Sequence, residues 1–240
     1  MNMAGKNAVI TGGTSGIGKA IAMELMRKGV NVCLVSRNSV DSAAYLPAEY
    51  AGKPVLWSYK GDIASDSDLE GFCEYVTKEL STVDILVHSA GAYYAGTVEE
   101  TPVQELDHLY RINLRAPYLL TRALLSRLRQ SKGQIVFINS SAGLKGSAGL
   151  SQYVSSKFGL HGLADSLRQE VNGDEIRVLS VFPGRTASQM QETVHRIEQR
   201  PFIPENLLQP PDIAEIVAKS LELPATAEVT DIHIRPFRKG

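Results

Sequence analysis

The stretch Thr11-Gly12-Gly13-Thr14-Ser15-Gly16-Ile17-Gly18 follows a short apolar run and leads straight into a helical pattern, and its reading decides the fold. Gly12 permits a tight turn. Gly16 lets the backbone approach a pyrophosphate with no Cβ in the way, and Gly18 lets the new helix pack closely on the strand before it. Free N–H groups at the helix N-terminus, with the positive end of the helix dipole, then face the phosphates. A glycine-rich turn alone is weak evidence, because any sharp strand-to-helix turn can use glycines. Its place after a strand and before a helix strengthens it. A rival nucleotide reading fails at one residue. Gly13 to Lys19 has the spacing of a phosphate-transfer loop, but the next position is Ala20, where that loop needs a Ser or Thr hydroxyl to hold Mg²⁺.

Outward from this turn, nearly continuous apolar runs alternate with longer amphipathic stretches. The predicted strands are Ala8–Thr11, Val30–Ser36, Val55–Tyr59, Ile85–Ser89, Ile135–Asn139, Val178–Phe182 and Ile232–Ile234, apolar throughout as strands covered on both faces are. The predicted helices are Gly16–Lys28, Asp66–Leu80, Pro102–Leu128, Ser151–Val171 and Pro211–Leu221. In Ser151–Val171, Leu160, Leu163, Leu167 and Val171 recur at intervals of three or four, so one face is buried. Repeated strand–helix–strand units predict an α/β fold, a parallel sheet doubly wound with helices on both faces. Nothing in the composition marks a boundary, so residues 1–240 are expected to form one domain. The stretch Gln189–Pro211 stands apart, being polar and holding Pro201, Pro204, Pro210 and Pro211. A connection this long inside a compact domain reads as a substrate lid or loop.

Composition narrows the function classes. The 240 residues are 43% hydrophobic, which excludes disorder, and Lys+Arg 25 against Asp+Glu 26 gives a net charge of −1. A nucleic-acid binder would show a basic surplus, so no nucleic-acid partner is expected. Cys33 and Cys73 form no C-x-x-C or zinc-like pattern, which fits a reducing compartment and no structural metal. Met1 to Lys6 lacks the basic-then-apolar design of a signal peptide. The longest apolar runs, such as Ile135-Val136-Phe137-Ile138, are far too short to span a bilayer. A cytoplasmic chain without membrane contact is expected.

The end of the second strand bears on which dinucleotide fits. An NAD site places Asp or Glu there for the ribose 2′-hydroxyl, whereas this chain has Ser36 followed by Arg37. A carboxylate would repel the 2′-phosphate of NADP, and Arg37 can grip it bidentately, so NADP(H) is the expected cofactor. Tyr153 and Lys157 are four apart at the start of a predicted helix, hence neighbours on one face. An ammonium beside a phenol is expected to lower the tyrosine pKa and make it a usable general acid or base. Ser140 ends the fifth predicted strand, where polar residues face the ligand crevice of a parallel sheet.

With these residues in view, the chain resembles the short-chain dehydrogenase/reductase family over nearly its whole length. Thr11-Gly12-x-x-x-Gly16-x-Gly18 looks like the family's cofactor motif, and Ser140, Tyr153 and Lys157 stand at its catalytic spacing. Asn113, in Ile112-Asn113-Leu114, matches the fourth catalytic position. Asp62, in Gly61-Asp62-Ile63, matches the aspartate that contacts adenine, and Pro183-Gly184 matches the turn beside the nicotinamide. The resemblance implies a Rossmann-like sheet of seven parallel strands and an NADP(H)-dependent exchange between a secondary alcohol and a ketone or aldehyde. It implies cofactor contacts from Gly12, Thr14, Ser15, Gly16, Ile17, Gly18, Arg37, Asp62, Ile63, Ala90, Gly91, Tyr153, Lys157, Pro183, Gly184 and Thr186. Tyr153 would pass the proton, Ser140 orient the carbonyl oxygen, Lys157 hold the nicotinamide ribose, and Asn113 position a relay water. No metal is implied. A homodimer or homotetramer is implied, through the long helices Pro102–Leu128 and Ser151–Val171.

The chain also departs from the family. Its usual Asn-Asn-Ala-Gly reads His88-Ser89-Ala90-Gly91 here, Ser188 stands where a Thr is common, and Ser15 where many NADP-using members carry a basic residue. His88 reads as support for neighbouring backbone, and His108, His161, His195 and His233 as structural or surface residues. Ser141, Leu144, Lys145, Tyr93, Tyr94 and Arg185 are substrate-facing candidates, with Arg185 suited to a substrate carboxylate. Two other classes stay open, a catalytically idle NADP-binding sensor or scaffold and a serine hydrolase. The hydrolase lacks the first glycine of G-x-S-x-G around Ser140 and Ser141.

Overall fold

The apolar runs become strands because their β-branched residues pack against helices on both faces of a sheet. The computed structural model describes residues 2–45 and 54–238. Its strands are β1 (Asn7–Thr11), β2 (Asn31–Ser36), β3 (Leu56–Lys60), β4 (Ile85–His88), β5 (Gln134–Ile138), β6 (Arg177–Pro183) and β7 (Asp231–Ile234). Among the described residues they form one seven-stranded sheet in the order β3-β2-β1-β4-β5-β6-β7. Every neighbouring pair is parallel. The helices are α1 (Gly16–Arg27), α2 (Asp66–Glu79), α3 (Val103–Tyr110), α4 (Ala116–Ser131), α5 (Ser151–Val171), α6 (Gln189–Ile197) and α7 (Pro210–Leu221).

Strand alternation divides the core in two. Ile10, Leu34, Val87, Val136 and Val181 point to one face, where Leu25 of α1 and Val217 of α7 meet them. Val9, Cys33, Leu86, Phe137 and Val178 point to the other, under Phe72 of α2, Leu124 of α4 and Leu160 of α5. The doubly wound expectation holds. The chain winds outward in one direction from β1 and in the other from β4, so the carboxyl ends of these adjacent strands diverge into a crevice.

Two stretches differ from the sequence expectation. The long predicted helix Pro102–Leu128 is α3 and α4 joined by a π-helical turn over Arg111–Arg115. Pro117 has no N–H to give the carbonyl four residues earlier, that of Asn113, so the regular ladder fails there. The stretch read as a loop after β6 contains α6. Ser188 caps it, its Oγ accepting from the Gln191 N–H at 3.2 Å. Ser188-Gln189-Met190-Gln191 is a capping signal legible in the sequence, outweighed there by the polar composition. Among the described residues no helix is long and apolar enough to cross a membrane.

Candidate active site

The crevice opens as a cleft of about 450 Å³, in the range of small-molecule sites. The glycine turn forms its floor. Gly12 has φ +67°, and a Cβ there would lie 2.6 Å from the Ala90 backbone. A Cβ on Gly18 would lie 2.3 Å from the Gly12 carbonyl oxygen. The turn therefore packs directly on the loop after β4. The Thr11 Oγ1 strengthens that seam by accepting from the Ser89 and Ala90 N–H groups at 3.2 and 3.3 Å. Ser15 stands at the N-cap of α1 with no side-chain capping bond, and no acidic residue occupies the first turn. These N–H groups and the dipole end are left for an anion.

At one end of the cleft lie Ser36, Arg37 and Asn38, with Asp62 and Ile63 beside them. Ser36 Oγ accepts from the Asn38 N–H at 3.2 Å, turning the chain after β2, and Arg37 is exposed there. Asp62 Oδ1 accepts from the Ala64 N–H at 2.9 Å, and its own N–H donates to Asp68 Oδ2 at 2.8 Å. The loop after β3 is thereby anchored to α2.

At the other end, the start of α5 brings in Tyr153 and Lys157, both lining the cleft. Ser140 stands beside Tyr153. The Ser140 Oγ also accepts from the Ala142 N–H at 3.1 Å. The Tyr93 ring meets the Tyr153 ring edge-on, centroids 5.1 Å apart. Lys157 Nζ donates to the Ile138 carbonyl at 3.2 Å. Electrostatics correct one expectation. Burial raises the Tyr153 phenol above its ordinary pKa, with the Ser140 hydroxyl opposing, and the same desolvation lowers Lys157 to about 8. The site thus keeps the phenol protonated at neutral pH, which suits a proton donor.

Asn113 is buried in the π turn. Its Oδ1 accepts from the Ala92 N–H at 2.8 Å, and its Nδ2 donates to the Ala92 carbonyl and to Ser156 Oγ, both at 3.0 Å. The side chain is committed to bracing the loop after β4 against α5. What the π turn leaves without its usual helical donor is the main-chain carbonyl of Asn113. A buried neighbour supports the same corner: Asn139 Nδ2 donates to the Lys157 carbonyl at 3.2 Å, and its Oδ1 accepts from the Ser140 N–H at 2.9 Å.

Not every expected residue reaches the cleft. Thr14, Ser15, Gly16, Ile17, Ala90 and Gly91 line it, whereas Asn113, Ser140, Pro183, Gly184 and Thr186 are not part of its lining. Gly184 N–H donates to the Ile234 carbonyl at 2.8 Å, and Thr186 Oγ1 to the Gly184 carbonyl at 3.0 Å, so this turn is occupied with its own structure. Ser188, Gln189 and Met190 at the start of α6 take their place. Arg185 Nη2 donates to Glu198 at 2.8 Å, so a carboxylate of the chain already holds the charge that was matched to a substrate carboxylate. His108 is exposed, as expected of a surface residue, and it also lines the cleft. His88 does not support backbone: its Nε2 lies 2.8 Å from Thr121 Oγ1, and its ring stacks on Phe137. Burial pushes its pKa down to about 3, so it stays neutral.

Comparison with known proteins bears on this geometry. The sequence model of the family described as short chain dehydrogenase matches residues 6–199. Glycine betaine reductase ATRR of Emericella nidulans is 32% identical over 98% of this chain and 19% of its own length. A 3-ketodihydrosphingosine reductase of Bos taurus is 34% identical over 76% of this chain and 57% of its own. The chain thus spans about a fifth and somewhat over half of these two relatives. Among solved structures, an alcohol dehydrogenase from the archaeon Thermococcus sibiricus, complexed with 5-hydroxy-NADP, is 27% identical. It covers 98% of both chains with a TM-score of 0.86.

Proposed function

The chain belongs to the short-chain dehydrogenase family, and on that premise we propose that it is an NADP(H)-dependent oxidoreductase exchanging a secondary alcohol and a ketone or aldehyde, with Tyr153 as the proton donor. The observation that carries this reading is the placing of Tyr153, with Ser140 beside it, and Lys157 at one end of a glycine-floored cleft. The residues present suit the dinucleotide. Gly12 leaves a cradle that a Cβ would fill, the capless start of α1 has N–H groups that would hold the pyrophosphate, and Arg37 would meet the 2′-phosphate with no carboxylate at the strand end. Asp62 and Ile63 would flank the adenine. The relative solved with 5-hydroxy-NADP supports the same cofactor class.

When bound, the cofactor supplies the hydride, and the proton chemistry belongs to the chain. The Ser140 O–H can donate to a carbonyl oxygen and orient it while the Ser140 oxygen accepts from the Ala142 N–H. Tyr153 donates its proton to that oxygen as charge develops. Lys157 keeps one proton on the Ile138 carbonyl and has others for the ribose hydroxyls and the phenol. The Asn113 carbonyl is the group that takes a relay water, since its amide is engaged. The start of α6 and the stretch that follows act as cover over the substrate end. We place the chain, read as one domain, in the cytoplasm, in keeping with its two unpaired cysteines.

Loss of NADPH absorbance with a panel of ketones, aldehydes and oxo acids tests the reading. Turnover is expected, and failure to bind either NADPH or NADH would overturn it. Arg37→Ser is expected to raise the KM for NADPH by about tenfold and to leave that for NADH unchanged. Equal losses with both cofactors would remove Arg37 from the 2′-phosphate.

The pH dependence follows from Lys157. Below about 8 its ammonium is charged and the phenol protonated, so kcat/KM for ketone reduction is expected to be level there. Above about 8 the ammonium deprotonates and the rate falls, up to tenfold per pH unit. A profile level well beyond that value would show that the charge is not needed.

Tyr110 of α3, Tyr118 of α4 and Phe158 of α5 are half-exposed. We read this face as a contact between copies of the chain. Light scattering should give a dimer or tetramer, reduced in mass by Phe158→Asp; a wild-type monomer would refute it.

A further inference from the structure

Tyr45 and Gly13 lie far apart in the sequence, yet the Tyr45 O–H donates to the Gly13 carbonyl at 2.9 Å. Tyr45 is 3% exposed and belongs to the core on the α1 side of the sheet. The Lys19 ammonium, on α1, sits 5.4 Å from the centre of its ring. Gly13 is buried as well, and a Cβ there would lie 2.4 Å from a methyl of Leu34. The next two residues, Thr14 and Ser15, are exposed and line the cleft.

In a trans peptide the C=O and N–H point in opposite directions, and the described chain has no cis bond. A Gly13 carbonyl held toward the core therefore turns the Thr14 N–H away from the core, to the side on which Thr14 and Ser15 face the cleft. A buried carbonyl without a donor is costly, so the Tyr45 hydroxyl is what makes this peptide orientation the stable one. Tyr45 also lies on the connection that follows Ser36, Arg37 and Asn38, the residues at the far end of the cleft. One side chain thus fastens the phosphate turn to the loop that carries Arg37.

We propose that Tyr45 is a positioning residue for the dinucleotide: its hydroxyl sets the Gly13–Thr14 peptide, and its ring anchors the Arg37 loop. This rests on the reading of the cleft as an NADP(H) site. Arg37 serves only a cofactor with a 2′-phosphate, whereas the turn serves NADPH and NADH alike, and that difference separates the two roles.

Tyr45→Phe keeps the ring, its burial and the Lys19 contact, and loses only the bond to Gly13. Titration by cofactor fluorescence is expected to show NADPH and NADH both weakened, by about tenfold, with their ratio unchanged. The kcat at saturating NADPH should stay within about twofold, because the Tyr153 end is untouched. Tyr45→Ala also frees the loop, so NADPH is expected to lose about a further tenfold that NADH does not. Thermal melts of both variants without cofactor accompany the titrations. A role confined to stability would lower the melting temperature and leave both affinities of Tyr45→Phe at the wild-type values, which would overturn the proposal. Selective loss of NADPH in Tyr45→Phe would also overturn it, by removing the turn from the account. Wild-type chain that binds neither cofactor would defeat the reading of the cleft itself, an outcome distinct from wild-type binding that Tyr45→Phe leaves intact.

Discussion

Tyr153→Phe is expected to lower kcat for ketone reduction by about 10³, the middle of the span for loss of a general acid, while the Kd for NADPH stays unchanged. The substitution removes one oxygen. The ring still fills its buried place and keeps its edge contact with Tyr93, so fold and cleft persist. The only proton donor remaining at the carbonyl oxygen is then Ser140, whose aliphatic hydroxyl can orient the oxygen but is a far weaker acid than a phenol. Lys157 is held on the Ile138 carbonyl, at a distance set by α5 rather than by the substrate. A fall of less than about tenfold would move the general acid to another group. A parallel loss of NADPH affinity would show that the variant disturbs the site rather than the chemistry.

Gly12→Ala carries the second large effect, on binding and stability together. Two independent obstacles meet at this position. The φ of +67° is costly for any residue with a Cβ, and that Cβ would lie 2.6 Å from the Ala90 backbone, which has no flexible tip to swing aside. The left-handed conformation costs about 1–2 kcal/mol and overpacking about 1–3 kcal/mol. The melting temperature is therefore expected to fall by roughly 5–15 °C for a domain of this size. Relief can come only by moving β1's turn off the loop after β4, which opens the floor of the cleft. NADPH affinity is expected to fall more than about a hundredfold, because several N–H contacts are displaced at once. Gly173→Ala serves as control, since a Cβ there meets nothing within 4 Å. If Gly12→Ala bound NADPH as the wild type does, the turn would not be the pyrophosphate site.

Much of the site was legible because its signals are local. The glycines of the turn, Asp62, and the pairing of Tyr153 with Lys157 are each defined within a few residues. Gly12, Gly16, Gly18, Asp62, Tyr153 and Lys157 all line the cleft. Pro183-Gly184 was legible as a motif, yet it is not part of the cleft's lining, because whether a turn faces a cleft depends on what packs over it. Here α6 brings Ser188, Gln189 and Met190 forward instead. The π turn in the long helix has a sequence signal in Pro117, masked by the helical periodicity that continues on both sides of it.

The sequence by itself determined the seven parallel strands, the helices between them and the turn that starts the cleft. Hydrophobic period and glycine placement are short-range properties, and strand alternation then leaves only one way to cover both faces. Tertiary structure decided the electrostatic state and the bracing of the site. The Lys157 pKa near 8 and the raised Tyr153 phenol come from burial by groups distant in sequence. The commitment of Asn113 to Ala92 and Ser156, of His88 to Thr121, and of Tyr45 to Gly13 likewise joins residues from separate strands, helices and loops. Desolvation and hydrogen-bond partnership depend on which side chains the folded sheet brings within a few ångströms, and no local pattern encodes that.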